Sequence, residues 1–401
     1  MNCRICSSPD YKSILDLGNI YPSNFISNGE EITAKPLHLV KCQNCNLVQL
    51  KETYNLDAMY RDHYWYRSGL NPSMVMSLED VVESALKVYS TMNNKVVPKY
   101  VLDIGCNDGT LLSLYPKTVL KVGVDPSKNV KELAEQHCDV FVNDYFQLSD
   151  FTTYPYLKYD IITSIAMFYD LEFPNIFLRD VCTVLADDGL WVIQFTDLLS
   201  MLKLSAFDNI CHEHLEYYSL SVLDNFLAKW NLQIIDVEYN VVNGGSIRAY
   251  VTWKRKEYKR KRVNEALELE QAYLKEHPIE EFGYTILKEK SKLLELVSQI
   301  KEANKSIYVL GASTKGNTLL QHYGLNSTII DKALEVNEDK FGLRTIGTNI
   351  PIISEEQGLQ EKPDYLLVLP WHFRNFFIEK FDGYLRSGGS LIFPLPTVEI
   401  I

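Results

Sequence analysis

Apolar positions along the chain follow two alternating rhythms. Tyr100–Ile104, Leu120–Val124, Val140–Val142, Tyr159–Ser164 and Leu190–Phe195 are apolar runs of strand length, and a helix opens at Thr110-Leu111-Leu112 between the first two. Strand and helix in alternation predict a doubly wound α/β sheet across the middle of the chain. From Glu265 to Lys301, charged residues alternate with Leu, Ile and Val at helical spacing, which predicts a helical connector with a solvated outer face. Strand-like runs return at Lys305–Leu310, Ser327–Asp331, Tyr365–Leu369 and Ser390–Phe393, so a second, Rossmann-like α/β unit is expected behind the connector. The front of the chain is marked by cysteine pairs. The expected division is a front domain over residues 1–75, a middle domain over 76–255, and the connector with its second α/β domain over 256–401.

Composition agrees with several packed cores: 401 residues exceed one ordinary domain, and 46% hydrophobic with 23% charged residues is the balance of a folded globular protein. A formal net charge of −12 argues against a nucleic-acid partner, whose affinity comes from clustered Lys and Arg. No apolar run approaches the ~20 residues of a membrane span, and the opening Met1–Cys6 has no apolar stretch of the kind a secretory signal requires. The expectation is a cytoplasmic protein with no membrane partner, monomeric or weakly homo-oligomeric.

Cys3, Cys6, Cys42 and Cys45 form two CxxC pairs, while Cys106, Cys138, Cys182 and Cys211 are scattered, which is unlike a disulfide framework. A CxxC turn lets two sulfurs face one tetrahedral ion at ~2.3 Å, so two turns complete a closed zinc site, with residues 7–41 folded back over the metal. Four sulfurs leave no position for water. The expected role is structural. The segment Met59–Ser68 that follows is crowded with aromatic and hydrogen-bonding groups, which suit a sugar or nucleotide site and equally suit interdomain packing.

The first strand of the middle sheet runs into Asp103-Ile104-Gly105-Cys106-Asn107-Asp108-Gly109. Gly105 lets the backbone turn sharply beside a ligand, and Gly109 allows strand and helix to pack closely. About twenty residues on, Asp125 ends the next strand, where a carboxylate can accept both ribose hydroxyls of a nucleoside. Asn143, Asp144 and Tyr145 follow the third strand into the same crevice, and Ile165 ends the fourth. Dinucleotide binding is the rival reading, but it requires G-x-G-x-x-G to clear a pyrophosphate. Asp103 and Asp108 would repel phosphates and suit the sulfonium and ammonium of S-adenosylmethionine. The loop and its sequel resemble a class I methyltransferase domain.

Beyond the fifth strand lies Cys211-His212-Glu213-His214. Two imidazoles flanking a carboxylate can move a proton near neutral pH. A metal site and a pair of satisfied structural histidines are the alternatives; the H-E-x-x-H spacing that places two ligands on one helical face is absent. With the two CxxC pairs, D-I-G-C-N-D-G-T, His-Glu-His before Tyr217-Tyr218-Ser219, Asn243-Gly244-Gly245-Ser246-Ile247-Arg248 and Gly311-Ala312-Ser313-Thr314-Lys315-Gly316-Asn317, the whole chain resembles the sugar C-methyltransferases that build branched deoxysugars such as tetronitrose and mycarose.

That resemblance implies methyl transfer from S-adenosylmethionine to the carbon beside the ketone of a nucleotide-linked 4-keto-deoxysugar, through an enolate. His214 matches the family's general base, with Glu213 and His212 beside it. Tyr66, and after it Tyr64, match the tyrosine that the front domain contributes to the sugar site. The chain departs from the family at Cys211, where a Tyr is usual, and at Met167–Leu171, where an active-site His is usual; Tyr169 or Tyr217 is the expected substitute. The resemblance further implies that Asn243, Gly245, Ser246, Arg248, Ser313, Lys315, Asn317, Trp371, His372 and Arg374 contact the nucleotide-sugar. An O-methyltransferase acting on a sugar or small hydroxylated acceptor is the competing expectation, since it needs only a base beside a hydroxyl.

Overall fold

The computed structural model describes residues 2–27, 32–61, 64–94, 96–148, 158–255 and 257–401; Asp62 and His63, within the aromatic front segment, lie outside the described residues. Among the described residues, no helix is long and apolar enough to cross a membrane.

The front sheet is built on a long hairpin. β1 (Tyr11–Ile20) pairs antiparallel with β3 (Lys35–Cys42) in a register that sets Tyr11 opposite Cys42. Since Cys3 and Cys6 precede β1 and Cys42 ends β3, this register brings the two CxxC turns to the same end of the hairpin. β4 (Val48–Leu50) continues the sheet, and its last strand, β10 (Glu216–Tyr217), comes from the middle of the chain directly after His214. β2 (Phe25–Ile26) leaves this sheet and pairs with β15 (Arg344–Thr345) of the back unit.

The middle sheet contains β5 (Tyr100–Ile104), β6 (Leu120–Val124), β7 (Val140–Val142), β8 (Tyr159–Ile165), β9 (Leu185–Thr196), β11 (Leu232–Asn240) and β12 (Ser246–Trp253), in the order β11-β12-β9-β8-β5-β6-β7. β7, β6, β5, β8 and β9 are mutually parallel, and β12 inserts antiparallel between β9 and β11. The order reverses at β5, so the crevice at its carboxyl end is a topological switch point where ligands bind. This is the class I methyltransferase arrangement. The helix Pro72–Met92 lays Leu78, Val81, Val82 and Ala85 into this domain's core, a helical spacing that buries one face.

Behind the connector stands a sheet of β13 (Ile307–Leu310), β14 (Lys332–Glu335), β16 (Ile352–Ser354), β17 (Tyr365–Val368), β18 (Ser390–Phe393) and β19 (Glu399–Ile400), parallel except at the β19 edge. The expected strand at Ser327–Asp331 is instead a turn, and β14 begins just after it. Asn326 explains the shift: its side-chain oxygen accepts from the amide and hydroxyl of Thr328, and its carbonyl accepts from Ile330, closing the backbone on itself. The connector is two helices, Lys261–Glu276 and Phe282–Glu302, broken at His277-Pro278.

One hydrophobic cluster runs through all three parts, joining Leu37 and Leu39 of the front to Phe207 and Leu215 of the middle and Leu310 and Leu334 of the back. The middle part thus shares packing with both of its neighbours.

Candidate active site

At the carboxyl end of β5 lies a cavity of about 520 Å³, ample for a small-molecule ligand. All three parts of the chain line it: Tyr64 and Tyr66 from the front; Asp103, Gly105, Asn107, Asp125, Asp144, Tyr145, Ile165, Tyr169, Glu213, His214, Asn243 and Ser246 from the middle; Lys315 from the back.

Gly105 turns with φ +76°, and an added Cβ would sit 3.0 Å from Met167 Cγ, so the loop's backbone stays bare toward the cavity. Asp125 accepts from the Asn107 amide at 2.8 Å and the Ser127 amide at 2.9 Å, one bond to each oxygen, which leaves lone pairs on both for ribose hydroxyls. Asp103 accepts from the Thr163 hydroxyl at 2.5 Å, and burial pushes its carboxyl up to about 7. A bare loop, a strand-end carboxylate and a buried acid fit a nucleoside that carries a sulfonium and an ammonium, and would oppose a pyrophosphate. Asn107, Asp108, Gly109 and Asn143 do structural work as well. Asn107 bonds the Tyr66 carbonyl and the Ser68 amide, and Asp108 accepts from the Gly69 amide, so both tie the aromatic front segment down over the cofactor loop. Asp108, Gly109 and Asn143 lie off the cavity wall: a Cβ added at Gly109 would come within 3.1 Å of the Ala134 backbone, and Asn143 donates to the carbonyls of Asp125 and Ser127.

The two histidines part company. His212 turns away from the cavity, its Nε2 toward the Lys35 carbonyl at 3.3 Å and its ring edge-on to Tyr54, which corrects its placement beside the base. His214 faces the cavity with Nδ1 on the Asn209 carbonyl at 2.8 Å and its ring against Tyr169 at 4.4 Å. A carbonyl oxygen can only accept, so Nδ1 carries the proton and Nε2 keeps its lone pair. Burial, with the Lys315 ammonium adding to it, pulls this imidazole down to about 3, which keeps it neutral. Because the two rings diverge, they form no metal site; among the described residues the one His, Cys, Asp and Glu group disposed to hold an ion is Cys3, Cys6, Cys42 and Cys45.

Those four sulfurs lie within 4.8 Å of one another, with Cys3–Cys45 and Cys6–Cys42 at 3.5 Å. Zinc–sulfur bonds of ~2.3 Å span a tetrahedron with edges of about 3.8 Å, so the cluster fits the ion.

Several expected sugar contacts are engaged elsewhere. Arg248 is buried among partners, donating to Gln194 at 2.8 Å and pairing with Asp80 at 2.8 Å and Glu238 at 3.5 Å; it bolts β12 to its neighbours. Arg374 pairs with Glu399 at 2.7 Å beside the last strand. Trp371 donates to Asp208 at 2.9 Å, Asn317 donates to the Asn24 carbonyl at 3.2 Å, and Ser313 caps the helix Thr314–Tyr323 by accepting from Gly316. His372 stacks on Phe373, and Gly245 packs against Ser200. None of these seven lines the cavity.

Three residues at the site were missed. Asp170 lines the cavity with its carboxyl lifted well above the usual range by burial, against the opposing effect of the nearby Tyr60 hydroxyl. The Tyr60 hydroxyl donates to the Glu213 carbonyl at 3.1 Å. Asn209 offers its backbone oxygen to His214 and its side-chain oxygen to the Lys315 ammonium at 2.6 Å. Tyr60 and Asp170 stood inside segments already singled out, while Asn209 had no signal beyond its place ahead of the His-Glu-His run.

Three family profiles match in succession: "Putative zinc binding domain" over residues 3–60, "Methyltransferase domain" over 79–237 and "C-methyltransferase C-terminal domain" over 241–396. The C-methyltransferase NovU of Streptomyces niveus is 27% identical, with all of this chain aligned to 96% of that protein. Among solved structures, the plantazolicin methyltransferase BamL with bound SAH is 14% identical over 44% of this chain and 85% of its own, at a TM-score of 0.36. The magnesium protoporphyrin IX methyltransferase of Synechocystis PCC 6803 with bound SAH is 15% identical over 45% of this chain and 87% of its own, at a TM-score of 0.34.

The chain is an S-adenosylmethionine-dependent methyltransferase, with a structural zinc site held by its four front cysteines. Its matches to zinc-binding, methyltransferase and C-terminal C-methyltransferase domains stand in this order, and over its whole length it is similar to a C-methyltransferase.

Proposed function

We propose that this C-methyltransferase acts on a nucleotide-linked 4-keto-deoxysugar and methylates the carbon beside the ketone. The observation that carries the reading is the His214 tautomer: a neutral imidazole with Nδ1 committed to the Asn209 carbonyl has only Nε2 to offer, and the residue lines the same cavity as the cofactor loop. Its free Nε2 lone pair is the group that can take a proton from carbon. When bound, S-adenosylmethionine supplies the electrophilic methyl group. His214 takes the proton at Nε2, Tyr169 packs against its ring at a steep angle, and the carbon left with the electron pair becomes the methyl acceptor. Tyr64 and Tyr66 give aromatic faces for a sugar ring, with Asn243 and Ser246 on the wall formed by the β11–β12 turn. Glu213 is buried and accepts from the Ser23 hydroxyl, with its carboxyl raised by burial.

Incubation with labelled methyl donor and a panel of thymidine diphosphate-linked 4-keto-6-deoxyhexoses, read by mass spectrometry and NMR, tests this. The expected product carries the label on a ring carbon adjacent to the ketone. Label on a ring oxygen would replace the reading with O-methylation, and no transfer to any ketosugar would overturn the substrate class.

A further inference from the structure

The back domain sends a single ammonium into the reaction chamber. Lys315 lies in the first turn of the helix Thr314–Tyr323, behind the cap made by Ser313, and lines the cavity built by the middle domain. Two features make this an expensive place for a cation. The N-terminal turn of a helix carries partial positive charge, which disfavours a cationic side chain there. Burial also strips the ammonium of water, and it lowers the Lys315 affinity for a proton. Placements that cost stability without a structural gain mark functional groups.

The surroundings show what holds the charge. Lys315 donates to the side-chain oxygen of Asn209 at 2.6 Å, a neutral acceptor, while the same residue's backbone oxygen takes His214 Nδ1 at 2.8 Å. Base and ammonium are therefore anchored on one residue and share one end of the cavity. Asp170, Asp208 and Glu213 lie around Lys315 and attract its charge, yet burial raises all three carboxyls, which biases them toward the neutral form. An ammonium has three donors, and one is spent on Asn209. Two remain for what enters the cavity.

We infer that Lys315 is a catalytic residue that holds the ketone oxygen of the substrate and stabilises the negative charge that develops on it. The inference rests on the C-methylation reading above. In the step, the C–H bond beside the ketone breaks and its proton passes to His214 Nε2. The electron pair of that bond forms a carbon–carbon double bond, and the carbonyl π pair moves onto oxygen as an enolate, hydrogen-bonded to Lys315 Nζ. Lys315 keeps its proton throughout. A fixed cation in a water-poor site is worth most where charge appears only in the transition state. This narrows the expected nucleotide-sugar contact of Lys315 to the reacting atoms.

Deprotonation can be followed with no methyl donor present, by NMR detection of hydrogen–deuterium exchange at the carbon beside the ketone in the same thymidine diphosphate-linked 4-keto-6-deoxyhexoses. Lys315→Ala and Lys315→Met are expected to slow exchange by at least ~100-fold, in the range found when a single oxyanion donor is removed, while binding of S-adenosylhomocysteine measured by calorimetry stays unchanged. Lys315→Arg should retain part of the rate, and ethylammonium added to Lys315→Ala should restore exchange in proportion to its concentration, which loss of a merely structural lysine would not allow. Exchange by the wild-type enzyme that persists in Lys315→Ala and Lys315→Met overturns the inference alone. Failure of wild-type enzyme to exchange any of the ketosugars overturns the C-methylation reading, and this inference with it.

Discussion

A single hydrogen bond decides what His214 can do, and it has a measurable signature. Burial, helped by the Lys315 ammonium, outweighs the upward pull of the Asn209 carbonyl, so the folded protein holds the imidazole neutral down to about pH 3, against ~6.5 for a free histidine. The sign follows directly. Below pH 6.5 the unfolded chain takes up a proton that the folded chain refuses, so stability present above 6.5 is lost progressively as pH falls toward 3. Nitrogen-15 NMR of the histidines should show His214 as the neutral Nδ1–H tautomer at pH 5, and His214→Gln should lessen the acid destabilisation between pH 6.5 and 4. A His214 resonance that titrates near 6.5 would remove the buried-base account. Local patterns made Gly105 and Asp125 legible in the sequence, because each sits in a run whose spacing dictates its place at a strand end, while His214 was picked out through the resemblance carried by the His-Glu-His run. Asn209, Asp170 and the direction taken by Lys315 were not legible, since their meaning comes from a meeting of segments far apart in the chain. Arg248 was misread for the same reason: the carboxylates that occupy it, Asp80 and Glu238, lie on two other elements.

At the scale of elements, the strands that were read correctly are those bounded by glycine turns or strand-end acids, as in β5, β6 and β18. The ones missed are short or depend on distant partners. β10 is two residues long and exists because Gln49 and Val48 of the front sheet pair with it. Its position links the zinc turn to the base. Arg4, between the first two zinc cysteines, donates to the Leu50 carbonyl at 2.6 Å and lies 3.6 Å from Glu216, two residues after His214. Both side chains are almost wholly buried, and burial raises the Glu216 carboxyl against the opposing pull of Arg4. Removing one partner of such a pair costs about 3 kcal/mol or more, because the other is left buried and alone. Arg4→Met is therefore expected to destabilise the protein by that order in urea unfolding, and Arg4→Met with Glu216→Gln should recover most of the loss. Equal destabilisation by the single and double variants would mean that the packing of Arg4, rather than its charge, holds the two elements together.

Over the whole molecule, the sheets are laced across the boundaries expected at residues 75 and 255. β10 closes the front sheet from the middle, β2 crosses from the front to β15 at the back, and Asn24 and Tyr21 bond Asn317 and Gln321 of the back helix. A sequence read in order shows domains in order, and such crossings have no local signal. They matter because the cavity needs a wall from each part. Chains of several domains commonly unfold in separate steps. Here the cluster running from Leu39 through Phe207 to Leu334 is continuous, and Cys3 and Cys42 are themselves packed into the core that contains Trp191 and Phe226. Loss of the zinc turn would thus expose part of the methyltransferase core rather than free a separate module. Scanning calorimetry should show one cooperative transition for the zinc-loaded protein. Chelation should move that whole transition to lower temperature, since a metal bound only by the folded state stabilises everything that folds with it. Two resolved transitions, or a chelator effect confined to a small early one, would show that the three parts fold independently and that their shared cavity is assembled by docking.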